Sequence, residues 1–305
     1  MSDSAIVAVK DFTKVYGRIT AVDRASFEIR AGEILALLGP NGAGKTSSLE
    51  CIEGVRRPDG GSICVFGLDP AREAKRLSRR VGIQLQAQGL PGSMTAREAL
   101  SFFARYRGMA PDYRPAERLG LATRLGSAVS ELSTGQQRRL ALAIAVAHDP
   151  QLLILDEPTA GLDVETRDEL HALLGELKAG GKTILLATHD MAEAEKLADR
   201  ALVMVSGKVM AAGSPRELTA GGSGRTRIVV STRDGSIARK RPDFEGAERR
   251  PQEEEYAVYL ADRPGPALKA LIAFTEGEGD EILDLRVERP TLEERFLEIV
   301  KGRSL

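Results

Sequence analysis

Only two cysteines, Cys51 and Cys64, occur in the 305 residues, and no CxxC pair. A disulfide framework and a cysteine zinc site are thereby excluded, and both thiols read as small buried hydrophobes in a reducing compartment. No charge of one sign dominates, since 43 Lys and Arg stand against 44 Asp and Glu for a formal net charge of -1. That balance argues against a basic nucleic-acid face as the dominant surface and against an acidic disordered tail. The amino terminus, with Ser2, Asp3 and Ser4, lacks an apolar stretch behind a basic start, so no signal peptide is expected there. The longest uninterrupted apolar run is Leu140 to Ala147, far short of the roughly 20 residues a membrane-spanning helix needs. If membranes matter to this chain, a partner must cross them. Internal repeats and low-complexity tracts are also missing. What is present, at 42% hydrophobic residues, suffices for the core of one large domain or two ordinary ones.

Composition shifts at the short Gly/Ser stretch 221–224, which is expected to link a first domain, 1–220, to a second, 225–305. In the first, apolar runs precede turn signals at Glu33 to Leu38, Gln151 to Leu155, Thr183 to Ala187 and Ala201 to Val205, with helical stretches between them. Runs apolar at consecutive positions predict parallel strands buried on both faces, hence an α/β domain whose ligand sits beyond the strands' carboxyl ends. The second part predicts strands at Thr226 to Thr232, Tyr256 to Ala261 and Glu281 to Glu288, with helices at Pro266 to Phe274 and Leu292 to Val300. This is a small α+β domain. Thr291 followed by Glu294 is a capping-box pattern, and the mixed-charge stretch Arg239 to Glu255 reads as a solvated loop.

Gly39-Pro40-Asn41-Gly42-Ala43-Gly44-Lys45-Thr46 matches G-x-x-x-x-G-K-[ST] between an apolar strand and a plausible helix, Lys45 to Ile52. The glycines let the backbone curl until its N–H groups face phosphate oxygens, and the helix N-terminus adds positive potential. Asn41, Gly42 and Ser47 belong to the same cradle, Lys45 reaches the β- and γ-phosphates, and Thr46 offers a hydroxyl to Mg2+. Further along, Leu152-Leu153-Ile154-Leu155-Asp156-Glu157 is a buried strand ending in two carboxylates. Asp156 is expected to hold Mg2+ through water, and Glu157 to polarise an attacking water as general base in a desolvated setting.

Leu132-Ser133-Thr134-Gly135-Gln136, followed by Gln137-Arg138-Arg139, resembles the LSGGQ signature of the ATP-binding-cassette family, with Thr134 replacing a glycine. The resemblance implies that Ser133, Gly135 and Gln136 cap the ATP held by another copy's phosphate loop. Other matches follow in the family's order. Tyr16 resembles the aromatic that stacks on adenine. Gln86, chosen for its spacing after Gly82, resembles the Q-loop glutamine that reaches the metal or water, with Gln84 and Gln88 near enough to compete for the role. Asp163 resembles the D-loop aspartate that helps join two subunits, and His189 the switch histidine that senses the γ-phosphate. His148 and His171 match no motif position and read as structural.

This likeness spans nearly all of Ile6 to Leu218. It implies a P-loop ATPase core, an antiparallel β piece near the N-terminus and a helical subdomain around 96–130. The stretches Ala192 to Arg200 and Arg289 to Leu297 are similar to those of drug- and antibiotic-export ATPases of the daunorubicin-resistance type. The implied function is an ATP-hydrolysing subunit that dimerises head to tail around two ATP and drives a separate permease at the cytoplasmic face of the membrane. Export of a drug, antibiotic or lipid-like molecule follows from the same resemblance. A soluble cassette ATPase acting on ribosomes or nucleic acid is the competing expectation. Such members usually carry two cassettes or a long inserted coiled coil, and neither pattern is present.

Overall fold

The structure, a computed structural model, describes residues 5–84, 89–220, 225–251, 255–288 and 291–300. Two compact units divide the chain, Met1–Pro215 and Arg216–Leu305.

The first unit is built on β3 (Ile34–Leu38), β6 (Leu152–Asp156) and β7 (Thr183–Thr188), each buried at every position. They join β5 (Val81–Gln84), β8 (Arg200–Val205) and β9 (Lys208–Gly213) in the order β5-β6-β7-β3-β8-β9. All pairings are parallel except β8 with β9. Because successive strand residues face opposite ways, the apolar runs feed two cores. Leu35, Leu37, Ile154, Leu185 and Ala187 enter one, while Ile34, Leu153, Leu155, Ile184 and Leu186 enter the other.

The first core is closed by α1 (Lys45–Ile52), through Leu49 and Ile52, and by an antiparallel sheet in the order β2-β1-β4. That sheet comprises β1 (Ala5–Tyr16), β2 (Ile19–Arg30) and β4 (Gly60–Val65) and contributes Val7, Phe12, Val22 and Ile29. Helix α2 (Pro70–Leu77) adds Leu77. The second core receives a helical segment made of α3 (Ala96–Tyr106), α4 (Arg114–Arg118) and two 3-10 turns at Ala122–Arg124 and Val129–Glu131. Helices α5 (Thr134–Val146) and α6 (Val164–Ala179) complete it through Leu140, Ala143, Leu170 and Leu174. A capping box starts α3: the Glu98 amide donates to Thr95 Oγ1 at 3.2 Å and the Thr95 amide to Glu98 Oε2 at 2.8 Å. Helix α7 (Met191–Leu197) follows β7, and α8 (Pro215–Ala220), at the start of the second unit, follows β9.

The second unit is an antiparallel sheet in the order β11-β12-β10-β13. Its elements are β10 (Thr226–Thr232), α9 (Ser236–Lys240), β11 (Ala247–Arg249), β12 (Ala257–Ala261), α10 (Pro264–Gly277), β13 (Ile282–Glu288) and α11 (Leu292–Val300). Ile228, Val230, Tyr259, Phe244 and Leu271 form its core. The expected loop from Arg239 to Glu255 needs correction, since β11 lies inside it and α9 runs into its start. Three residues at a sheet edge, two of them charged, carry no period-two signal, which is why the pattern hid them. Helix α10 opens earlier than expected because Pro264 fits its first turn. The capping box at Thr291 and Glu294 forms as its spacing predicts.

Leu186, fully buried at the centre of β7, is expected to cost about 2–5 kcal/mol on replacement by alanine. Urea unfolding should show that loss, whereas Val55→Ala at a position 63% exposed should stay within about 0.5 kcal/mol of the parent.

Candidate functional site

Parallel register sets Leu38 opposite Thr188 and Asp156 opposite Ala187, so β3, β7 and β6 release their carboxyl ends side by side. The phosphate loop leaves the first of these ends, His189 the second and Glu157 the third. In the loop, Lys45 folds back and its Nζ donates to the carbonyl of Gly39 at 2.6 Å and to that of Pro40 at 3.4 Å. Close packing explains the glycine before the lysine. Gly44 has φ +101°, and a Cβ there would lie 2.4 Å from the carbonyl oxygen of Ala21. Gly39 is equally confined, its Cβ position lying 2.5 Å from the carbonyl oxygen of Met204.

A cavity of about 510 Å³ opens above the loop, lined by Asn41, Gly42, Gly44, Lys45, Thr46 and Ser47 together with Tyr16, Asp156 and Glu157. Burial lowers the affinity of Lys45 for its proton, partly offset by the carboxylates of Glu157 and Asp156. Asp156 is itself pushed up by burial, with the Thr46 hydrogen bond opposing. Thr46 Oγ1 donates to Asp156 Oδ2 at 3.1 Å, while Asp156 Oδ1 is buried with no hydrogen-bond partner. An orphaned carboxylate oxygen beside a hydroxyl, facing a phosphate cradle, fits a hard divalent cation. Among the described residues no group of three or more His, Cys, Asp or Glu is placed to hold a metal alone.

Glu157 is buried, and its Oε2 lies 2.6 Å from Nδ1 of His189, whose ring is 61% exposed. Its backbone has φ +51° although Pro158 follows. Such a conformation costs about 1–3 kcal/mol and needs outside support. The Glu157 amide donates to the Ala187 carbonyl at 2.9 Å, and Arg138 Nη1 donates to the Glu157 carbonyl at 2.6 Å. Tyr16, 37% exposed at the end of β1, donates its hydroxyl to Glu50 at 3.4 Å, and Lys14 and Arg56 lie over its ring.

Other predicted positions stand apart from this cavity. Ser133 caps α5: its Oγ accepts from the Gln136 amide at 3.2 Å, and Gln136 Oε1 accepts from the Ser133 amide at 3.0 Å. Gly135 begins that helix with only Leu162 Cδ2 near its Cβ position. Asp163 caps α6 by accepting from the Thr166 amide and hydroxyl, bonds that draw its carboxyl below the ordinary range. Ser133, Gly135, Gln136 and Asp163 do not line the phosphate-loop cavity of their own chain. Gln86, with Gln88, lies outside the described residues. Gln84 ends β5, buried, with Nε2 3.4 Å from the Arg138 carbonyl. His148 and His171 are buried away from the loop, His148 against the Val81 carbonyl and His171 against Glu193. Cys51 is buried, whereas Cys64 is only half-buried.

Two residues unmarked by the motifs belong beside the site. Arg138 is the first, through its hold on Glu157. Glu53 follows α1 and lines an apolar groove of about 440 Å³ with Leu77, Ile83, Leu90, Phe103 and Ile144. Both its carboxylate oxygens are buried without partners, and burial, with Asp156 and Glu50 nearby, pushes it up to about 8. No sequence signal sets Glu53 apart, since Glu50 stands one turn before it in α1.

Fold and site together define a P-loop nucleotide-binding domain of the ATPase type. Residues 22–160 match the family profile of the ABC transporter. The Nod factor export ATP-binding protein I of Paraburkholderia xenovorans is 44% identical over 222 residues, 70% of this chain and 73% of that protein. Its namesake in Rhizobium etli is 41% identical over 216 residues, 68% of each. A solved ATP-binding subunit of an ABC transporter superposes with a TM-score of 0.65 at 29% identity, covering 71% of this chain and 92% of that one. A dimeric post-hydrolysis ATP-binding cassette bound to ADP and Pi gives 0.63 at 26% identity, covering 68% and 98%. The chain belongs to the ABC transporter family as an ATP-binding subunit, an ATPase coupled to transport.

The sign of the Glu53 effect is fixed by its displacement. Between about 4.3, the free-chain value, and about 8 the folded protein holds a proton that the unfolded chain releases. Stability therefore falls as pH rises through this window. Glu53→Gln removes that slope, so the melting temperature of the variant relative to the parent should be higher at pH 8 than at pH 5, by roughly 10 °C. Thermal unfolding without nucleotide measures it, and an equal difference at both pH values would contradict the assignment.

Proposed function

We propose that this ATPase subunit works in an exporter, where two copies close head to tail around two ATP molecules and drive permease subunits encoded separately. The observation that carries the reading is the split between two half-sites. One face of the chain offers the phosphate loop, Asp156 and the Glu157–His189 pair, while the Ser133 to Gln136 helix start lies outside that cavity. A helix N-terminus with free amides suits an anion, and in this reading the anion is the γ-phosphate held by the other copy. Dimeric cassettes among the similar solved structures support the pairing. The Nod factor export names of the relatives support export. A drug, antibiotic or lipid-like molecule is the substrate class we favour.

In the closed pair, the loop amides and Lys45 bind the phosphates, and charge neutralisation there restores the proton affinity that burial takes from Lys45. Thr46 and Asp156, with Gln86 as a further candidate, would hold Mg2+, which supplies charge stabilisation at the phosphates when bound. Glu157 takes a proton from the attacking water, His189 holds the Glu157 carboxylate in line and senses the γ-phosphate, Tyr16 stacks on the adenine, and Asp163 joins the subunits. ATP contacts both copies only when they are closed, so it shifts the pair toward closure, and loss of the γ-phosphate reverses the shift. No helix among the described residues is long and apolar enough to cross a membrane. As an ATP-binding subunit of a transporter, the chain is placed in this reading on the cytoplasmic face, held there by its permease, with the apolar groove beside Glu53 and Gln84 as its contact. The near-zero net charge favours no nucleic-acid partner.

Glu157→Gln should keep ATP binding and lower turnover by about 100-fold to 10,000-fold, measured as phosphate release by the full-length chain. In a pull-down from gently solubilised membranes, a polytopic membrane protein should copurify. Normal turnover in the variant removes Glu157 from the base role, and recovery of ribosomal proteins alone favours a soluble cassette ATPase.

A further inference from the structure

Arg138 lies one turn into α5, the helix that Ser133 caps. Its Nη1 donates a charge-assisted hydrogen bond of 2.6 Å to the main-chain carbonyl of Glu157. Its own carbonyl accepts from Nε2 of Gln84, the last residue of β5, at 3.4 Å. Glu157 needs such a partner. With φ +51° in front of Pro158, its peptide sits where steric repulsion drives a side-chain-bearing residue back toward extended backbone. The amide is tied to β7 through Ala187 and the carbonyl to α5 through Arg138. Those two bonds set the direction in which the Glu157 carboxylate leaves the backbone, and so its 2.6 Å approach to His189.

We propose that Arg138 is a positioning residue for hydrolysis, which clamps the Glu157 peptide and ties the aim of its carboxylate to the signature helix α5. Displacement of α5 is then felt at Glu157 within the same chain, and Gln84 bonds the same helix at the Arg138 carbonyl. The inference rests on the reading of Glu157 as general base. It requires nothing of the Arg138 side chain at the nucleotide, since Arg138 does not line the phosphate-loop cavity and its Nη1 donates to the Glu157 carbonyl.

Steady-state ATPase kinetics of the full-length chain test it with R138M, which keeps the apolar stem and removes the donors, and R138K, which keeps a cationic donor. R138M should lower kcat between about 10-fold and 100-fold with KM for ATP within about twofold of the parent, and R138K should recover most of the loss. In an E157Q background R138M should cause no further fall in residual turnover, because the group it aims is already gone. If R138M does not fold, R138Q against R138K carries the same comparison. A parental kcat in R138M, a rise in KM matching the loss, a loss that R138K leaves unrelieved, or full additivity with E157Q overturns the proposal. Turnover that survives E157Q overturns it together with the role of Glu157. Turnover abolished in E157Q but intact in R138M removes Arg138 alone.

Discussion

Parallel pairing of β3, β7 and β6 fixes where three strand ends lie, and the phosphate loop, Asp156, Glu157 and His189 hang from them, with Tyr16 added from the end of β1. The register is specified by burial on both faces. A slip of one residue would send Leu35, Leu37, Ile154 and Leu185 from one core into the other, against side chains already packed there. With that register set, the phosphate loop, Asp156, Glu157 and His189 converge at neighbouring strand ends. The strands thus act as a rigid frame, and the cost of a strained peptide at Glu157 is borne by the hydrogen bonds around it.

On the proposed pairing, each copy contributes two separate surfaces, its phosphate-loop cavity and the Ser133 start of α5, which lies outside that cavity. Its phosphate loop is open, and its Ser133 helix start is occupied only by its own capping box. The capping box engages the Ser133 and Gln136 amides at that helix start. Arg138 lies on α5 and bonds the Glu157 peptide, and Gln84 at the end of β5 bonds the Arg138 carbonyl.

Much of this was legible before any coordinates. Helix α1 runs from Lys45 to Ile52 as the glycine-rich turn and apolar spacing predict, and β10 and α11 match their expected bounds. Local signals suffice where the decisive contacts are local. They fail for β11, a three-residue edge strand specified by its neighbour β12 rather than by its own pattern. They fail again for the partners of Glu157, because Arg138 reaches it across 19 positions of chain and only packing of α5 brings the two together. Glu53 was passed over for the same reason, since nothing in its neighbours' identities reveals that both its oxygens are buried without a partner.

Joining of two half-sites across copies is the claim on which the mechanism turns. Its most direct measurement is disulfide crosslinking of a chain with Cys51 and Cys64 replaced and cysteines introduced at Asn41 and Ser133, in the Glu157→Gln background. Covalent dimer formed with ATP, and absent with ADP or without nucleotide, is the predicted result. Chains that stay monomeric with ATP, or that crosslink equally under all three conditions, would contradict the account.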